Sequence, residues 1–265
     1  MEGKRMELKN VIYEKSEGIA IITINRPEVL NAFNAETVNE ILKCLEDIEK
    51  DENVRAVILT GAGNKAFSAG ADIKAMKGMT PLKARQLSKM GYKLCKALEN
   101  LEKPVIAAIN GYALGGGLEV AMSCDLRIAA ETAKMGQTEI NIGLIPGWGG
   151  TQRLTRLVGK TFAKEMVFTG KMIDAKTAYE KGLVNKVVPP ERLMEEAKAL
   201  AKELASKAPV ALKLCKMLID KGLETDLDTA LALETEAFGT VASTEDLQEG
   251  VSAFLEKRKP EFKGK

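Results

Sequence analysis

Residues 106–125 read IAAINGYALGGGLEVAMSCD. The apolar run Val105–Ile109 predicts a strand, and the triplet Gly115–Gly117, followed by Leu-Glu-Val-Ala-Met, predicts that a helix begins soon after it. Glycines at a helix N-terminus leave backbone N–H groups accessible as donors to a developing negative charge, which the helix dipole also favours. Close packing of the backbone explains the same glycines equally well, so the spacing alone leaves both interpretations open.

Strands and helices alternate on both sides of this stretch. Short β-branched runs bounded by turn residues predict strands, and apolar residues at helical spacing predict helices. The alternation indicates a layered α/β domain with largely parallel strands. The further strands are predicted at 19–24, 54–60 and 126–129, the helices after the cap residue Asn34 and over about 81–101, and a glycine-punctuated loop over 67–78.

The chain is purely helical in pattern from about Glu191. Leu193, Ala197, Leu200, Ala201 and Leu204 form one apolar stripe, and Pro209 is expected to open another helix. We therefore predict an α/β core over residues 1–190 that contains the active site, and a helical C-terminal region over 191–265.

Charge and hydropathy restrict the classes of partner. The 39 basic and 37 acidic residues leave a net charge of +2, which does not favour a nucleic-acid surface. No apolar run approaches the roughly 20 residues that span a bilayer, and the polar start Met1–Asn10 does not resemble a signal peptide. Met6 is an alternative natural start. We expect neither a nucleic-acid nor a membrane partner.

Cysteine and histidine usage restricts the chemistry. The four cysteines are far apart, which is typical of reduced core thiols in a cytoplasmic protein. The chain has no histidine, so a Ser-His-Asp triad, a Cys-His pair and the common histidine zinc sites are excluded. We expect no metal site, and proton transfer must use carboxylates, Lys, Tyr, Cys or water. The cysteines are Cys44, Cys95, Cys124 and Cys215.

Three local motifs imitate known sites but lack a required feature. Gly61-Ala-Gly63 follows a strand as a dinucleotide fingerprint does, yet the next residues suit a loop better than a helix. Gly159-Lys-Thr161 resembles the end of a phosphate loop, but Leu154 occupies the position of the first glycine. Ser68 lies in a sequence similar to a nucleophile elbow, but it has no histidine to act as its base.

The glycine-rich stretch, together with motifs along nearly the whole chain, resembles the crotonase (enoyl-CoA hydratase/isomerase) superfamily. The resemblance implies a spiral of ββα turns with a helical C-terminal trimerisation region, assembled as a trimer or as a hexamer that is a dimer of trimers. It also implies a CoA thioester substrate in fatty-acid or butanoate metabolism. Besides 106–125, the matching motifs are Asn25-Arg-Pro27 with Leu30-Asn-Ala32, Ser68-Ala-Gly-Ala-Asp-Ile73, Gly136-Gln-Thr-Glu-Ile140, Ile145-Pro-Gly147 with Gly149-Gly-Thr-Gln-Arg153, and Phe254-Leu-Glu-Lys-Arg-Lys259.

By this resemblance, the backbone N–H groups of Ala71 and Gly116 form an oxyanion hole for the thioester carbonyl. The same resemblance places one group of residues along CoA and a second group near the CoA of an adjacent subunit. An aromatic residue three positions before a basic one, at helical spacing, agrees with the second group. The first group is Ala69, Asp72, Ile73 and Lys74, and the second is Phe254 and Lys257.

Glu119 and Glu139 match both acid–base positions of the hydratases, whereas many relatives have only one of them. The resemblance therefore implies an enoyl-CoA hydratase, a hydro-lyase that adds water to a short-chain trans-2-enoyl-CoA such as crotonyl-CoA, with no cofactor beyond the CoA of the substrate. We assign Glu139 to proton transfer at Cα and Glu119 to holding and activating the water.

Two other activities fit parts of the sequence. A Δ3,Δ2-enoyl-CoA isomerase shuttles a proton but needs no water, and the paired glutamates argue against it. An RNA-binding relative would use a lysine-rich helix, for which Lys198, Lys202, Lys213 and Lys216 are candidates, although a solvated helix face explains them better.

Three positions depart from the family pattern: Leu118, Thr138 and Trp148. Trp148 is the only tryptophan and follows Glu139 in the loop. Its size predicts either a narrowed acyl pocket or ordinary loop packing.

Overall fold

A computed structural model describes residues 6–265 of the chain. Whether the natural chain starts at Met1 or Met6 concerns residues outside this range. The strands are β1 (Val11–Ser16), β2 (Ile19–Ile24), β3 (Ala56–Gly61), β4 (Ala66–Ser68), β5 (Val105–Ile109), β6 (Tyr112–Leu114), β7 (Leu126–Ala130), β8 (Lys134–Gly136), β9 (Ile173–Asp174) and β10 (Lys186–Val188). The α-helices are α1 (Ala35–Lys50), α2 (Pro81–Asn100), α3 (Gly116–Met122), α4 (Gly150–Val158), α5 (Lys160–Thr169), α6 (Ala175–Glu180), α7 (Leu193–Ala205), α8 (Pro209–Gly222), α9 (Leu227–Ala242) and α10 (Glu245–Leu255).

Two sheets form the centre of the fold. The large sheet has the order β1-β2-β3-β5-β7-β10 and is parallel except for the β1–β2 pair. The small sheet has the order β4-β6-β8-β9, in which only β9 is antiparallel. Each of β3, β5 and β7 leads directly into a strand of the small sheet, and a helix follows. This repeated ββα unit confirms the predicted α/β crotonase spiral.

Both faces of the large sheet are buried. Along β2, Ala20, Ile22 and Ile24 pack into the cluster that contains α1 and α2, while Ile19 and Ile21 face the opposite side. Burial on both faces explains why these strands are continuous apolar runs without polar alternation.

Helix α7 covers the second face of the large sheet. Leu193, Ala197 and Ala201 are buried there against β2, β3, β5 and β7, as the predicted stripe requires. Helices α8, α9 and α10 follow, and several of their large apolar residues are exposed, among them Ile219, Leu223, Leu227 and Phe238. The C-terminal part is helical as predicted, and the division into two regions at residue 191 stays a prediction. Within residues 6–265, no helix is long and apolar enough to cross a membrane.

Helix α1 begins where its cap residue predicts. The Asn34 side chain accepts a 2.8 Å hydrogen bond from Thr37 N, which satisfies a donor of the first turn. The predicted strands 19–24 and 105–109 are observed with those bounds, and the predicted strand 54–60 runs instead from Ala56 to Gly61. The predicted loop 67–78 contains regular secondary structure, namely the end of β4 and a 3-10 helix at Ile73–Met76.

Candidate active site

The turn between β6 and α3 brings the glycine triplet against two other segments. Gly115 has a φ of +51°, and a Cβ atom placed on it would lie 2.9 Å from Glu139 Oε1. A Cβ atom on Gly117 would overlap the carbonyl oxygen of Ser68 at the end of β4. Close approach therefore requires glycine at both positions.

The backbone N–H groups of Ala71 and Gly116 lie side by side, because a Cβ atom placed on Gly116 would be 3.4 Å from Ala71 N. Ala71 is fixed by its bridge to Phe33, whose N donates to Gly70 O at 2.8 Å and whose O accepts from Asp72 N at 2.9 Å. Among residues 6–265, neither N–H donates to another protein group. Two adjacent donors of this kind can stabilise one oxyanion.

Glu119 lies in the first turn of α3 and is 1% exposed. Its Oε1 accepts hydrogen bonds from Trp148 N at 2.8 Å and from Gly150 N at 2.6 Å. Burial raises the pKa of Glu119, while these donors and the Arg153 guanidinium oppose the rise. One oxygen is thus fixed by the loop before α4, and the other remains available for water or substrate.

Glu139 opens the 3-10 helix Glu139–Ile142 beside Gly115. Burial raises the pKa of Glu139 to about 7, and the charge of Glu119 adds to the rise. In the amide orientation that satisfies both of its ends, buried Gln137 donates to both Glu139 oxygens at 3.2 Å. A carboxyl with this pKa exchanges a proton readily at neutral pH.

An ion pair supports the loop that binds Glu119. The Arg153 Nη1 donates to Trp148 O at 2.7 Å, and Arg153 Nε pairs with Glu99 of α2. Both polar backbone groups of Trp148 are therefore hydrogen-bonded, its N to Glu119 and its O to Arg153.

The predicted CoA segment extends outward from the oxyanion donors. Ala69 N donates to Leu30 O at 2.9 Å, and the Asp72 carboxylate caps the following 3-10 helix by accepting from Lys74 N at 3.1 Å. Ile73 and Lys74 are exposed. This part of the chain leads from the candidate oxyanion hole to exposed residues, and its contact with CoA stays a prediction.

Comparisons with known proteins agree with this geometry. A family model described as enoyl-CoA hydratase/isomerase matches residues 14–265. The chain belongs to this family. It is 55% identical to a short-chain-enoyl-CoA hydratase of Clostridium acetobutylicum, over 97% of this chain and 98% of the relative, and 48% identical to a crotonyl-CoA hydratase of Syntrophomonas wolfei, over 97% and 99%. The crystal structure of an enoyl-CoA hydratase from Bacillus anthracis has a TM-score of 0.94, with 44% identity, 97% coverage of this chain and 100% of that one.

In this member of the enoyl-CoA hydratase/isomerase family, the predicted C-terminal contacts lie in a different part of the molecule. Phe254 is 83% exposed and lines a cavity formed within the C-terminal helices, together with Val241, Leu247 and Phe262. Helix α10 ends at Leu255, and Lys257 has a φ of +56°. The predicted helical spacing of Phe254 and Lys257 is therefore wrong, because the helix ends between them. Their contact with a neighbouring CoA stays a prediction.

Sequence reasoning missed the supporting residues of this family member. Gln137 and Arg153 each lie within a matched motif. The motifs do not indicate that Gln137 donates to Glu139 or that Arg153 donates to Trp148 O. No signal indicated Glu99, because it pairs with Arg153 across 54 residues of sequence.

Proposed function

We propose that this protein is a short-chain enoyl-CoA hydratase that reversibly adds water to trans-2-enoyl-CoA such as crotonyl-CoA. The observation that carries the proposal is the convergence of Glu119 and Glu139 on the turn that presents the Gly116 N–H. The similarity to two relatives, a short-chain-enoyl-CoA hydratase and a crotonyl-CoA hydratase, supports the same substrate class.

In the proposed mechanism the thioester oxygen accepts hydrogen bonds from Ala71 N and Gly116 N, which stabilise the enolate-like charge. Ionised Glu119 holds a water molecule and takes one of its protons while the hydroxyl adds to Cβ. Protonated Glu139 donates its proton to Cα. Water has then been added across the double bond, and the two carboxyl groups have exchanged protonation states, which solvent exchange resets.

This division of roles agrees with the two environments. Burial raises the pKa of both groups, but fixed donors and a nearby cation oppose the rise at Glu119, whereas the pKa of Glu139 reaches about 7 and this group can hold a proton. The two carboxyl groups and two N–H donors supply the acid–base chemistry and the charge stabilisation of hydration. We therefore propose that no metal or nucleotide cofactor takes part.

We also propose a cytoplasmic homo-oligomer, either a trimer or a hexamer, in which Phe254 and Lys257 approach a neighbour's CoA. Exposed apolar residues on α8–α10 support an oligomer, because large apolar patches mark protein interfaces. The four cysteines are free, which agrees with a reducing compartment. Three lysines of the RNA-binding alternative pair with carboxylates, which argues against nucleic acid: Lys202 with Glu17, Lys213 with Glu102 and Lys216 with Asp125.

The direct test follows the absorbance of the conjugated thioester after crotonyl-CoA is added to purified protein. We expect the absorbance to fall, and to fall equally after EDTA treatment. A 3-enoyl-CoA assayed in parallel tests the isomerase alternative. Absence of hydration together with rapid conversion of the 3-enoyl-CoA would replace the hydratase proposal by the isomerase one. Light scattering that shows a monomer at assay concentration would contradict the shared CoA site.

A further inference from the structure

The indole of Trp148 is buried between helix α2 and the oxyanion turn. Trp148 is 3% exposed, and its ring centroid lies 5.6 Å from that of Phe33. On the α2 side, a Cβ atom placed on Gly91 would overlap indole atoms Cγ, Cδ2 and Cε2. The absence of a side chain at Gly91 is therefore what lets the indole lie directly against the backbone of α2.

The six-membered ring of the indole borders the candidate oxyanion hole. A Cβ atom placed on Gly116 would lie 3.0 Å from both Cε3 and Cζ3 of Trp148. The backbone N of the same tryptophan donates to Glu119 at 2.8 Å. The ring thus packs against both Gly91 and Gly116, and the backbone of the same residue binds a candidate catalytic carboxylate.

The position of the indole beside Gly116 bears on the acyl-chain length that the site can accept. A thioester oxygen bound by Ala71 N and Gly116 N directs Cα and Cβ of the acyl group toward the two glutamates. We propose that carbons beyond Cβ meet the ring that packs beside Gly116, so that Trp148, seated on Gly91, sets the upper limit of acyl-chain length and confines the enzyme to short acyl groups. The inference rests on the proposed hydratase function.

The indole can exclude longer chains because it is held on several sides. Trp148 N donates to Glu119, and Trp148 O accepts from Arg153 Nη1 at 2.7 Å. Displacing the residue would therefore also disturb Glu119. Gly91 and Phe33 contact the ring itself. A pocket of fixed size discriminates between substrates by roughly 10–200-fold for one methylene that does not fit.

The experiment measures kcat/KM for trans-2-enoyl-CoA substrates of four, six, eight and ten carbons. Trp148→Ala opens the pocket and keeps the backbone donor to Glu119. We expect the ratio of kcat/KM for eight carbons to that for four to rise at least about tenfold. Trp148→Phe should give a smaller rise in the same direction. Tyr179→Ala, which removes an exposed aromatic residue from α6, is the matched control and should leave the ratio unchanged.

Gly91→Ala supplies an independent arm. The added methyl group drives the indole toward Gly116, so turnover of the four-carbon substrate should fall at least about tenfold. In the Trp148→Ala background the same change should have little effect, because the overlapping ring is gone. Butyryl-CoA and octanoyl-CoA cannot react and serve as inhibitors. In Trp148→Ala, inhibition by octanoyl-CoA should strengthen relative to inhibition by butyryl-CoA, in parallel with the change in kcat/KM.

The outcomes separate this inference from the proposed function. If the parent protein hydrates crotonyl-CoA, two results would overturn the inference alone. One is equal turnover of the eight-carbon substrate by the parent. The other is a ratio of kcat/KM for eight carbons to that for four that stays within threefold of the parent in both Trp148 variants. If Trp148→Ala does not fold, Trp148→Phe and the Gly91→Ala arm decide the question. Absence of hydration at every chain length would overturn the proposed function and the inference together.

Discussion

Trp148 N donates a 2.8 Å hydrogen bond to Oε1 of Glu119, across 29 residues of sequence. The loop that carries the bulky indole therefore also fixes a candidate catalytic carboxylate. The side chain of this residue and its backbone act on different groups, so substitution of the side chain can test the pocket without removing the donor to Glu119.

The two glutamates should act as one unit. Glu119→Gln and Glu139→Gln preserve size while removing carboxylate proton chemistry, and each should lower kcat for hydration by at least about 10². KM should change little, because the contacts with CoA remain. The double variant should be much less impaired than the product of the single losses. Steady-state hydration kinetics on folded variants measure this, and an isomerase would show a mild effect for Glu119→Gln alone.

Hydration should depend on a protonated Glu139. Since the pKa of Glu139 is about 7 in the free protein, kcat/KM for hydration should fall as the pH rises through about 7. The dehydration reaction starts from the tautomer in which Glu119 is protonated and Glu139 is ionised, which carries the same single proton, so its kcat/KM should fall over the same pH range. A pH–rate profile in both directions checks the sign. A hydration profile that stays flat between pH 6 and 8 would contradict the assignment of Glu139 as the proton donor.

The same pKa predicts an effect on stability. Folding raises the pKa of Glu139 from 4.5 to about 7, so the native state binds more protons than the unfolded state between these values. The contribution of Glu139 to the free energy of unfolding is therefore present below about pH 4.5 and is lost as the pH rises to about 7. At pH 8, Glu139→Gln should raise Tm, and the gain should shrink toward pH 5. Thermal unfolding at both pH values tests this.

Gly116→Val should impair turnover more than folding. A Cβ atom at this position would lie 3.4 Å from Ala71 N and 3.0 Å from the indole, so the larger side chain would occupy the space between the two donors. We expect kcat to fall by at least about 10², the usual effect of losing one oxyanion donor. Gly239→Ala in α9, where an added Cβ atom meets nothing within 4 Å, is the control. A Gly116→Val protein that keeps most of its kcat would contradict the oxyanion role.

Arg153 should act as a positioning residue for Glu119. Arg153→Met removes the donor to Trp148 O and the cation that lowers the pKa of Glu119. We expect kcat to fall by about 10- to 10²-fold, and the acid limb of the kcat/KM profile to move to higher pH. Arg153→Lys keeps the charge and should move that limb back.

Arg156 supplies the matched control, because it lies in the same helix but is 50% exposed and pairs with Glu224, whereas the Arg153 side chain is 13% exposed. Arg156→Met should leave the profile unchanged. A purely structural role for Arg153 would lower Tm without moving the acid limb.

The sequence predicted those parts of the site that lie close together along the chain. Gly115–Gly117 and Glu119 share one turn, and the strand before them is a continuous apolar run, so spacing predicted the strand and the start of the helix. The donor and acid–base roles came from the family resemblance and stay predictions. The small sheet escaped prediction because its strands have two or three residues, too few to show periodicity.

Contacts between distant residues could not be predicted from spacing. Two such contacts depend on how α2 packs beside the loop before α4. They are the ion pair between Glu99 and Arg153 and the close approach of Gly91 to Trp148. The end of α10 was also missed, since Lys257 adopts a left-handed conformation that residue type alone does not indicate for lysine.

Trp148 is the only tryptophan of the chain, and its ring borders Gly116. Fluorescence excited at the red edge of the indole band, where the four tyrosines barely absorb, therefore originates from this one ring beside Gly116. Binding of a CoA thioester should change the polarity around this single fluorophore, so its emission can report occupancy of the pocket in real time without an introduced label.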